Sequence, residues 1–142
     1  MTIAAILQRK GDAVIAVAPD ATVGEAIALL ADRGIGAVPV IEGDRLVGIF
    51  SERDVIHHLK AGDLGGMGAP VSQVMTAPVT TVSREEAVLA ALALMTQQRV
   101  RHLPVVADGA VIGMISIGDL VKYRIDAIEA DAAAMRDYIQ QT

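Results

Sequence analysis

The hydrophobic and polar positions of the chain follow one pattern twice. From residue 18 to residue 55 the sequence aligns without a gap to the sequence 65 residues later, so that Gly48 falls on Gly113 and Asp54 on Asp119. In each copy, residues 14–17 or 79–82 are typical of a short strand. Apolar residues then recur at helical spacing. A repeat of this kind predicts two copies of one supersecondary unit, stacked together.

In each copy the predicted helix is followed by two apolar runs that a turn joins, a pattern typical of a β-hairpin. The paired runs are Ala37–Ile41 with Leu46–Phe50, and Leu103–Val106 with Val111–Ser116. A second helix is expected to begin near Ser51 and near Ser116. Each half therefore reads strand, helix, strand, strand, helix, which predicts an α+β fold. At about 60 residues, one half alone buries little surface, so the halves are expected to pack together.

The remaining segments are a connector and a tail. The Gly-rich stretch at 60–70 predicts a linker. The tail predicts a continuous helix over 123–138 with one apolar side, formed by Ile125, Ile128, Ala132, Met135 and Ile139. This stripe can pack inside the chain or against a second subunit, and the second is favoured. The predicted limits are 6–62 for the first repeat, 63–73 for the linker, 74–124 for the second repeat and 125–142 for the C-terminal helix.

Composition narrows the classes of function. Aromatic residues make up only 2% of the chain and the formal net charge is −5. Stacking platforms and basic stripes for nucleic acid are therefore not expected. The absence of cysteine excludes disulfides, thiolate catalysis and Cys-bound zinc. The N-terminal apolar run is too short for a secretory signal, and the longest uncharged stretch holds prolines and glycines. We expect a soluble, cytoplasmic protein without a membrane partner.

The candidate chemistry lies in the segments GIFSERD at 48–54 and GMISIGD at 113–119. Ser-x-x-Asp at the start of a helix matches the capping box. The same geometry suits a ligand, because a helix N-terminus attracts phosphate and an Asp one turn later can accept from both hydroxyls of a ribose. The sequence leaves both interpretations open, although an Asp bound to ribose cannot also close the cap.

These segments resemble the cystathionine β-synthase (CBS) domain, which occurs as tandem pairs. The similarity rests on the stretches VGEAIALL at 23–30, GAVPVI at 36–41, LVGIFSERD at 46–54, VMT at 74–76, RHLPVV at 101–106 and VIGMISIGDL at 111–120. It covers about Ile6 to Tyr123. The resemblance implies two pseudo-symmetric β-α-β-β-α repeats, packed as one Bateman-type module with a C-terminal helix.

The resemblance also implies a regulatory sensor and not an enzyme. Such pairs commonly bind an adenosine-containing ligand in two clefts between the repeats. AMP is expected first, with ATP, ADP, NAD(H) and S-adenosylmethionine as alternatives. The ligand is regulatory, and no catalytic cofactor is expected. A homodimer and a still unknown regulated protein are the implied partners.

The two clefts are not expected to be equal. In the family, residues just before the Pro-containing strand reach the phosphates, and only the second half offers an arginine there. The Asp119 cleft is expected to contain Thr22, Ala26, Leu46, Val47, Arg101, His102, Met114, Ser116 and Asp119. The Asp54 cleft is expected to contain Gly36, Ala37, Ile49, Ser51, Arg53, Asp54, Ala91 and Val111. We expect the Asp119 cleft to be the better phosphate site.

The histidines and an alternative function remain to be considered. His57 and His58 are neighbours on a predicted helix and point about 100° apart, so they are not expected to form a metal site. His102 is not expected to act as a catalytic base, because the sequence indicates neither a nucleophile nor an orienting acid for it. A ligand-free dimerisation or scaffold module, in which both Ser-x-x-Asp segments are only caps, is the alternative to the sensor.

Overall fold

The computed structural model describes residues 1–11, 13–62 and 65–141. Each repeat has the order helix, strand, strand, helix, and one N-terminal helix precedes the first repeat. The elements are α1 Ile3–Lys10, α2 Val23–Arg33, β1 Ala37–Glu42, β2 Arg45–Ser51, α3 Glu52–Ala61, α4 Val88–Gln98, β3 His102–Ala107, β4 Ala110–Ser116 and α5 Ile117–Gln141. Short 3₁₀ turns at Gly66–Gly68 and Val71–Gln73 lie between α3 and α4. The predicted α+β class is confirmed.

Two antiparallel hairpins, β1–β2 and β3–β4, carry the same register. Ala37 pairs with Ser51 in the first, and His102 pairs with Ser116 in the second. Each hairpin also has one irregularity at the matching place, after Val40 and after Val105. The predicted Asp108-Gly109 turn is present with φ of 51° and 79°, the positive values that a type I′ turn requires.

The predicted strands over 14–17 and 79–82 are reduced to one parallel bridge each, at Val17 and at Val82. The Val17 N–H donates to Pro39 O (3.1 Å), and the Ile41 N–H donates to Val17 O (2.9 Å). The next bond of a parallel ladder would need an N–H from Pro39, which a proline lacks. Pro104 ends the bridge at Val82 in the same way. Two prolines inside the hairpins therefore shorten the strands that lie beside them.

The described residues pack into two aliphatic cores, and each core takes residues from the segment that precedes the other repeat. The first core contains Val23, Ala26, Leu30, Val38, Val40, Phe50, Ala69 and Val71. The second contains Ile3, Ile6, Val82, Val88, Ala91, Met95, Leu103, Val105, Ile115 and Leu120. Thus α1 completes the second core, and the connector completes the first.

Backbone hydrogen bonds hold the two exchanged segments. The Ile3 N–H donates to Glu86 O (2.9 Å), and the Val23 N–H donates to Ala69 O (2.8 Å). Thr76, just after the predicted linker, also pairs with β2, because it exchanges two backbone bonds of 3.0 and 2.8 Å with Ile49. The repeats therefore support each other through their opening segments, which fits the expectation that half of the chain cannot form a core alone.

The C-terminal helix continues without interruption from the second repeat. α5 begins at Ile117 and runs for 25 residues, so the predicted limit between 124 and 125 falls inside one helix. The domain limits stay a prediction; Asp63 and Leu64 of the predicted linker and Thr142 of the predicted tail lie outside the described residues. Within the described ranges, none of the helices is long and apolar enough to cross a membrane.

Candidate functional site

The two Ser-x-x-Asp segments lie where a strand passes directly into a helix. β2 ends at Ser51 and α3 begins at Glu52, whose N–H donates to Gly36 O (3.1 Å). In the second repeat, the Ile117 N–H at the start of α5 donates to Arg101 O (2.8 Å). The residue before each Pro-containing strand therefore satisfies one helix N-terminal N–H, which fixes where the helix begins.

Asp54 is buried, and donors occupy both of its carboxylate oxygens. The residue is only 6% exposed. Oδ2 accepts from Ser51 N (2.8 Å) and from Ser51 Oγ (3.1 Å), and Oδ1 accepts from Thr76 Oγ1 (2.7 Å). Asp54 therefore closes the start of α3 and is bonded to Thr76, in the segment that opens the second repeat.

Asp119 is more accessible, with a side chain that is 26% exposed. Oδ2 accepts from Ser116 N (2.9 Å) and from Lys10 Nζ (2.7 Å), while the Asp119 N–H donates to Ser116 Oγ (3.1 Å). Within the described part of the chain, Oδ1 has no hydrogen-bond donor. Burial raises the pKa of Asp119, but the bonds from Lys10 and Ser116 outweigh it and hold the pKa below its usual value. The carboxylate is therefore ionised at neutral pH.

Lys10 is a site residue that the sequence analysis missed. Its ammonium group also donates to Met114 O (2.8 Å), so it joins α1 to both β4 and α5. Lys10 lies 65 residues before Met75, and Gly11 lies 65 residues before Thr76. The segment at 10–11 thus reaches Asp119 as the segment at 75–76 reaches Asp54. The sequence holds a pointer to Lys10: when the 65-residue comparison is extended upstream of residue 18, Lys10 aligns with the VMT stretch.

Gly36 and His102, which the sequence assigns to different clefts, lie next to each other. A Cβ atom at Gly36 would lie 2.9 Å from His102 Cε1 and 2.9 Å from Glu52 Oε1, so a larger residue would displace the imidazole or the carboxylate. Burial lowers the pKa of His102, with Lys10 and Arg101 acting in the same direction and Glu52 and Asp119 opposing. His102 is therefore neutral near pH 7, and the exposed Arg101 carries the positive charge.

The other residues predicted to contact the ligand differ in how exposed they are. Ala26 and Ala91 are completely buried in the two cores, and Ala37 is 5% exposed. Thr22 caps α2, since its Oγ1 accepts from Glu25 N (3.1 Å). The strands β2 and β4 contact each other. They carry the half-buried residues expected near the base, Leu46, Val47, Ile49, Val111 and Met114. Arg53 is exposed on α3.

A cavity of about 320 Å³ lies between α1 and α5. It is lined by Ile6, Arg9, Lys10, Asp119, Lys122 and Tyr123. Asp119 is the one lining residue that the sequence analysis predicted as a ligand contact. The cavity is hereafter called the α1–α5 cavity.

The His57-His58 pair does not form a metal site in the structure. His58 is 8% exposed and its Nε2 lies 2.8 Å from Gly66 O. His57 is exposed. Among residues 1–11, 13–62 and 65–141 there is no group of three or more His, Asp or Glu side chains that could hold a metal ion.

The fold and the paired strand-to-helix junctions define a tandem-repeat module of mixed α and β structure. The CBS domain family model matches residues 9–61 and 71–126. The chain therefore belongs to the CBS domain family, as a pair of CBS domains.

Relatives and solved structures that resemble the chain are also CBS domain proteins. The chain is 34% identical over 126 residues to CBS domain-containing protein CBSX3, mitochondrial, of Arabidopsis thaliana; the match covers 85% of this chain and 61% of CBSX3. It is 31% identical over 120 residues to CBS domain-containing protein YhcV of Bacillus subtilis, covering 84% and 85%. The CBS-domain containing protein ATU1752 from Agrobacterium tumefaciens superposes with a TM-score of 0.83 at 36% identity, covering 87% of this chain and 99% of that one.

One structural neighbour was solved with ligands. The CBS domain pair of protein MJ0100, in complex with 5′-methylthioadenosine and S-adenosyl-L-methionine, superposes with a TM-score of 0.78. It covers 89% of this chain and 98% of that chain, at 22% sequence identity. This likeness establishes a shared fold.

Proposed function

We propose that the chain is a regulatory module that binds an adenosine-containing nucleotide in the Asp119 cleft. AMP is the first candidate, and ATP, ADP, NAD(H) and S-adenosylmethionine are the related ones. The observation that carries the proposal is the difference between the two acids: Asp119 keeps Oδ1 without a donor from the described residues and is 26% exposed, whereas Asp54 has both oxygens occupied and is 6% exposed. The adenosine compounds bound by the MJ0100 pair support the same ligand class.

The surrounding groups suit such a ligand. Asp119 is ionised and offers Oδ1 to a ribose hydroxyl. Arg101 is exposed beside the start of β3 and offers a fork of donors to phosphate. A base would lie against the half-buried aliphatic residues Leu46, Val47 and Met114. A bidentate ribose contact also requires Oδ2, so ligand binding would loosen the bond between Lys10 and Asp119.

This competition suggests how binding is transmitted. Release of Lys10 would free the end of α1, which packs on the second core through Ile3 and Ile6. A nucleotide would thereby change how α1 is held, and a regulated protein could read that change. The role is regulatory, with the nucleotide as an effector and not as a catalytic cofactor.

A thermal-shift screen with AMP, ATP, ADP, NADH and S-adenosylmethionine tests the proposal. A ligand at 100 times its dissociation constant should stabilise the protein by about 2.7 kcal/mol. Asp119→Asn and Asp54→Asn form a matched pair, and we expect Asp119→Asn to abolish most of the shift while Asp54→Asn retains it. The absence of a shift with every compound, or the reverse order of the two variants, would contradict the proposal.

A ligand-free dimerisation module is the second candidate. Both acids accept the cap N–H bonds in the structure, and α5 exposes aliphatic side chains, with Val121 at 44%, Ile125 at 50% and Ile128 at 51%. We propose that this face of α5 forms a homodimer in either case. Sedimentation equilibrium should show a dimer that Ile125→Asp weakens, while Ala130→Asp, on another side of the same helix, leaves it intact. A monomeric wild-type chain would exclude this interface.

A further inference from the structure

We propose that the α1–α5 cavity is a separate binding site for a small molecule that carries a phosphate group. Its walls hold three cationic side chains, Arg9, Lys10 and Lys122, in a chain whose formal net charge is −5. Asp119 is the single acid among the described lining residues and is bonded to Lys10, while Arg9 is paired with Asp126. Among the described residues, Lys122 has no acidic partner, so the cavity keeps a net positive charge, which favours an anion.

Lys10 is held in position with one donor to spare. A lysine ammonium group has three N–H donors. Two of them point to Asp119 Oδ2 (2.7 Å) and to Met114 O (2.8 Å), and Lys10 lines the cavity. The third can donate to a ligand oxygen without breaking either bond. Because the side chain is already ordered, an anion that binds here loses little further side-chain entropy.

Arg9 is oriented by two neighbours on α5. Its Nη2 donates to Asp126 Oδ2 (3.1 Å), and its guanidinium carbon lies 5.8 Å from the centre of the Tyr123 ring. A guanidinium group has five N–H donors in a planar fork, so one bond to Asp126 leaves others for phosphate oxygens. Arg9 is therefore a pre-oriented cation at the edge of the cavity.

Lys122 completes the set from the second turn of α5. Within the described part of the chain it forms no salt bridge, whereas Arg9 and Lys10 each have an acidic partner. A negatively charged ligand gains most binding energy from a cation that lines the cavity and has no acidic partner. A phosphate dianion can engage Lys122, Lys10 and Arg9 together, and a monoanionic carboxylate matches this charge less well.

Size and lining limit the rest of the ligand. A volume of about 320 Å³ is close to the lower end of ligand pockets, which suits a phosphorylated metabolite better than a dinucleotide. Ile6 and the Tyr123 ring offer apolar surface for a short carbon skeleton. Asp119 is the only described lining residue that also belongs to the proposed nucleotide cleft. Because a nucleotide would loosen the Lys10–Asp119 bond, occupancy of one site should influence the affinity of the other.

Calorimetric titration of the full chain with inorganic pyrophosphate tests the site. At low ionic strength we expect wild-type binding that Lys122→Gln weakens at least fivefold. Lys60→Gln, an exposed change on α3, is the charge-matched control and should alter the dissociation constant less than twofold. Circular dichroism of both variants checks that they are folded. Absence of wild-type binding, or equal weakening by both variants, would overturn the proposal.

A parallel titration with AMP separates this site from the nucleotide cleft. If Lys122→Gln weakens pyrophosphate binding and leaves the AMP affinity unchanged, the sites are distinct, as proposed. If the same variant weakens both ligands equally, pyrophosphate occupies the nucleotide cleft and a separate site is refuted. Pyrophosphate binding without any AMP binding would refute AMP as the nucleotide and leave the present site standing.

Discussion

The ammonium group of Lys10 lies 2.7 Å from Oδ2 of Asp119, 109 residues further along the chain. This bond joins the end of α1 to the first turn of α5, at the acid that the sequence marks as the best ligand contact. In the first repeat, Thr76 takes the corresponding position on Asp54 (2.7 Å). In each repeat the Asp is therefore bonded to a residue of the segment that opens the other repeat. Lys10 donates from a charged group to Asp119, and Thr76 donates from a hydroxyl to Asp54.

Loss of the charged contact should have a modest cost. We expect Lys10→Met to lower the free energy of unfolding by about 1 kcal/mol, because the two side chains are partly exposed and solvent screens the pair. Urea unfolding at pH 7 measures the effect. In an Asp119→Asn background the same change should cost much less, and equal costs in both backgrounds would show that the two side chains are not coupled.

The same pair should govern part of the acid stability. The pKa of Asp119 is below its ordinary value of 3.8 in the folded chain, so its contribution is present above that value and is lost as the pH falls through the folded pKa. Lys10→Met should raise the pKa of Asp119 and shift this loss to higher pH. An NMR titration of the carboxyl carbon measures the pKa, and an unchanged value would contradict the expectation.

The buried hydroxyl contact in the first repeat should matter more than an exposed one. We expect Thr76→Val to destabilise the chain by about 1–3 kcal/mol, because it leaves one oxygen of the buried Asp54 without its donor. Thr96→Val is the matched control. Its hydroxyl donates to Leu92 O on an exposed part of α4, so its loss should change stability by less than about 0.5 kcal/mol. Equal costs in thermal unfolding would refute the special role of Thr76.

His102 should give the stability a second dependence on pH. Burial lowers its folded pKa below 6.5, so its contribution is present above pH 6.5 and declines as the pH falls from there through the folded pKa. His102→Gln should flatten this part of the profile when urea unfolding is repeated across about pH 5 to 7.5. His57→Gln, at an exposed position of α3, controls for the loss of an imidazole. An identical slope in wild type and His102→Gln would contradict the assignment.

α1 approaches β4 closely at Gly113. A Cβ atom there would lie 2.6 Å from Leu7 Cδ2, the end of a flexible and half-buried side chain, so Gly113→Ala must shift that side chain and should cost about 1 kcal/mol. Gly118→Ala is the contrast, because the nearest atom to its Cβ is Ser116 Oγ at 3.6 Å and the residue lies in α5. Alanine there should stabilise the helix by up to about 1 kcal/mol. Thermal unfolding of both variants checks the opposite signs.

The sequence by itself predicted the features that depend on neighbouring residues. These features are the hairpins, the Asp108-Gly109 turn and the helix starts after Ser51 and Ser116. Each rests on hydrogen bonds or on a hydrophobic period that spans only a few residues, and such short-range patterns are visible in a linear sequence. The repeat is visible too, because a 65-residue offset aligns its two copies without a gap.

The extent of the first strands could not be predicted in this way. The residues at 14–17 and 79–82 have the composition of strands. However, their pairing ends at Pro39 and Pro104, which lie more than twenty residues away. A proline limits a neighbouring strand only after the two segments have been brought side by side, so local propensity misses its effect.

The tertiary structure alone decided which segment holds which acid. The Lys10–Asp119 and Thr76–Asp54 bonds arise because α1 and the connector exchange places between the two cores. Neither core is complete without that exchange, so the burial of apolar surface sets it. Hydrophobic periodicity indicates which residues are buried. It does not indicate whether a residue is buried in the core of the first repeat or in that of the second, and only the folded chain decides this.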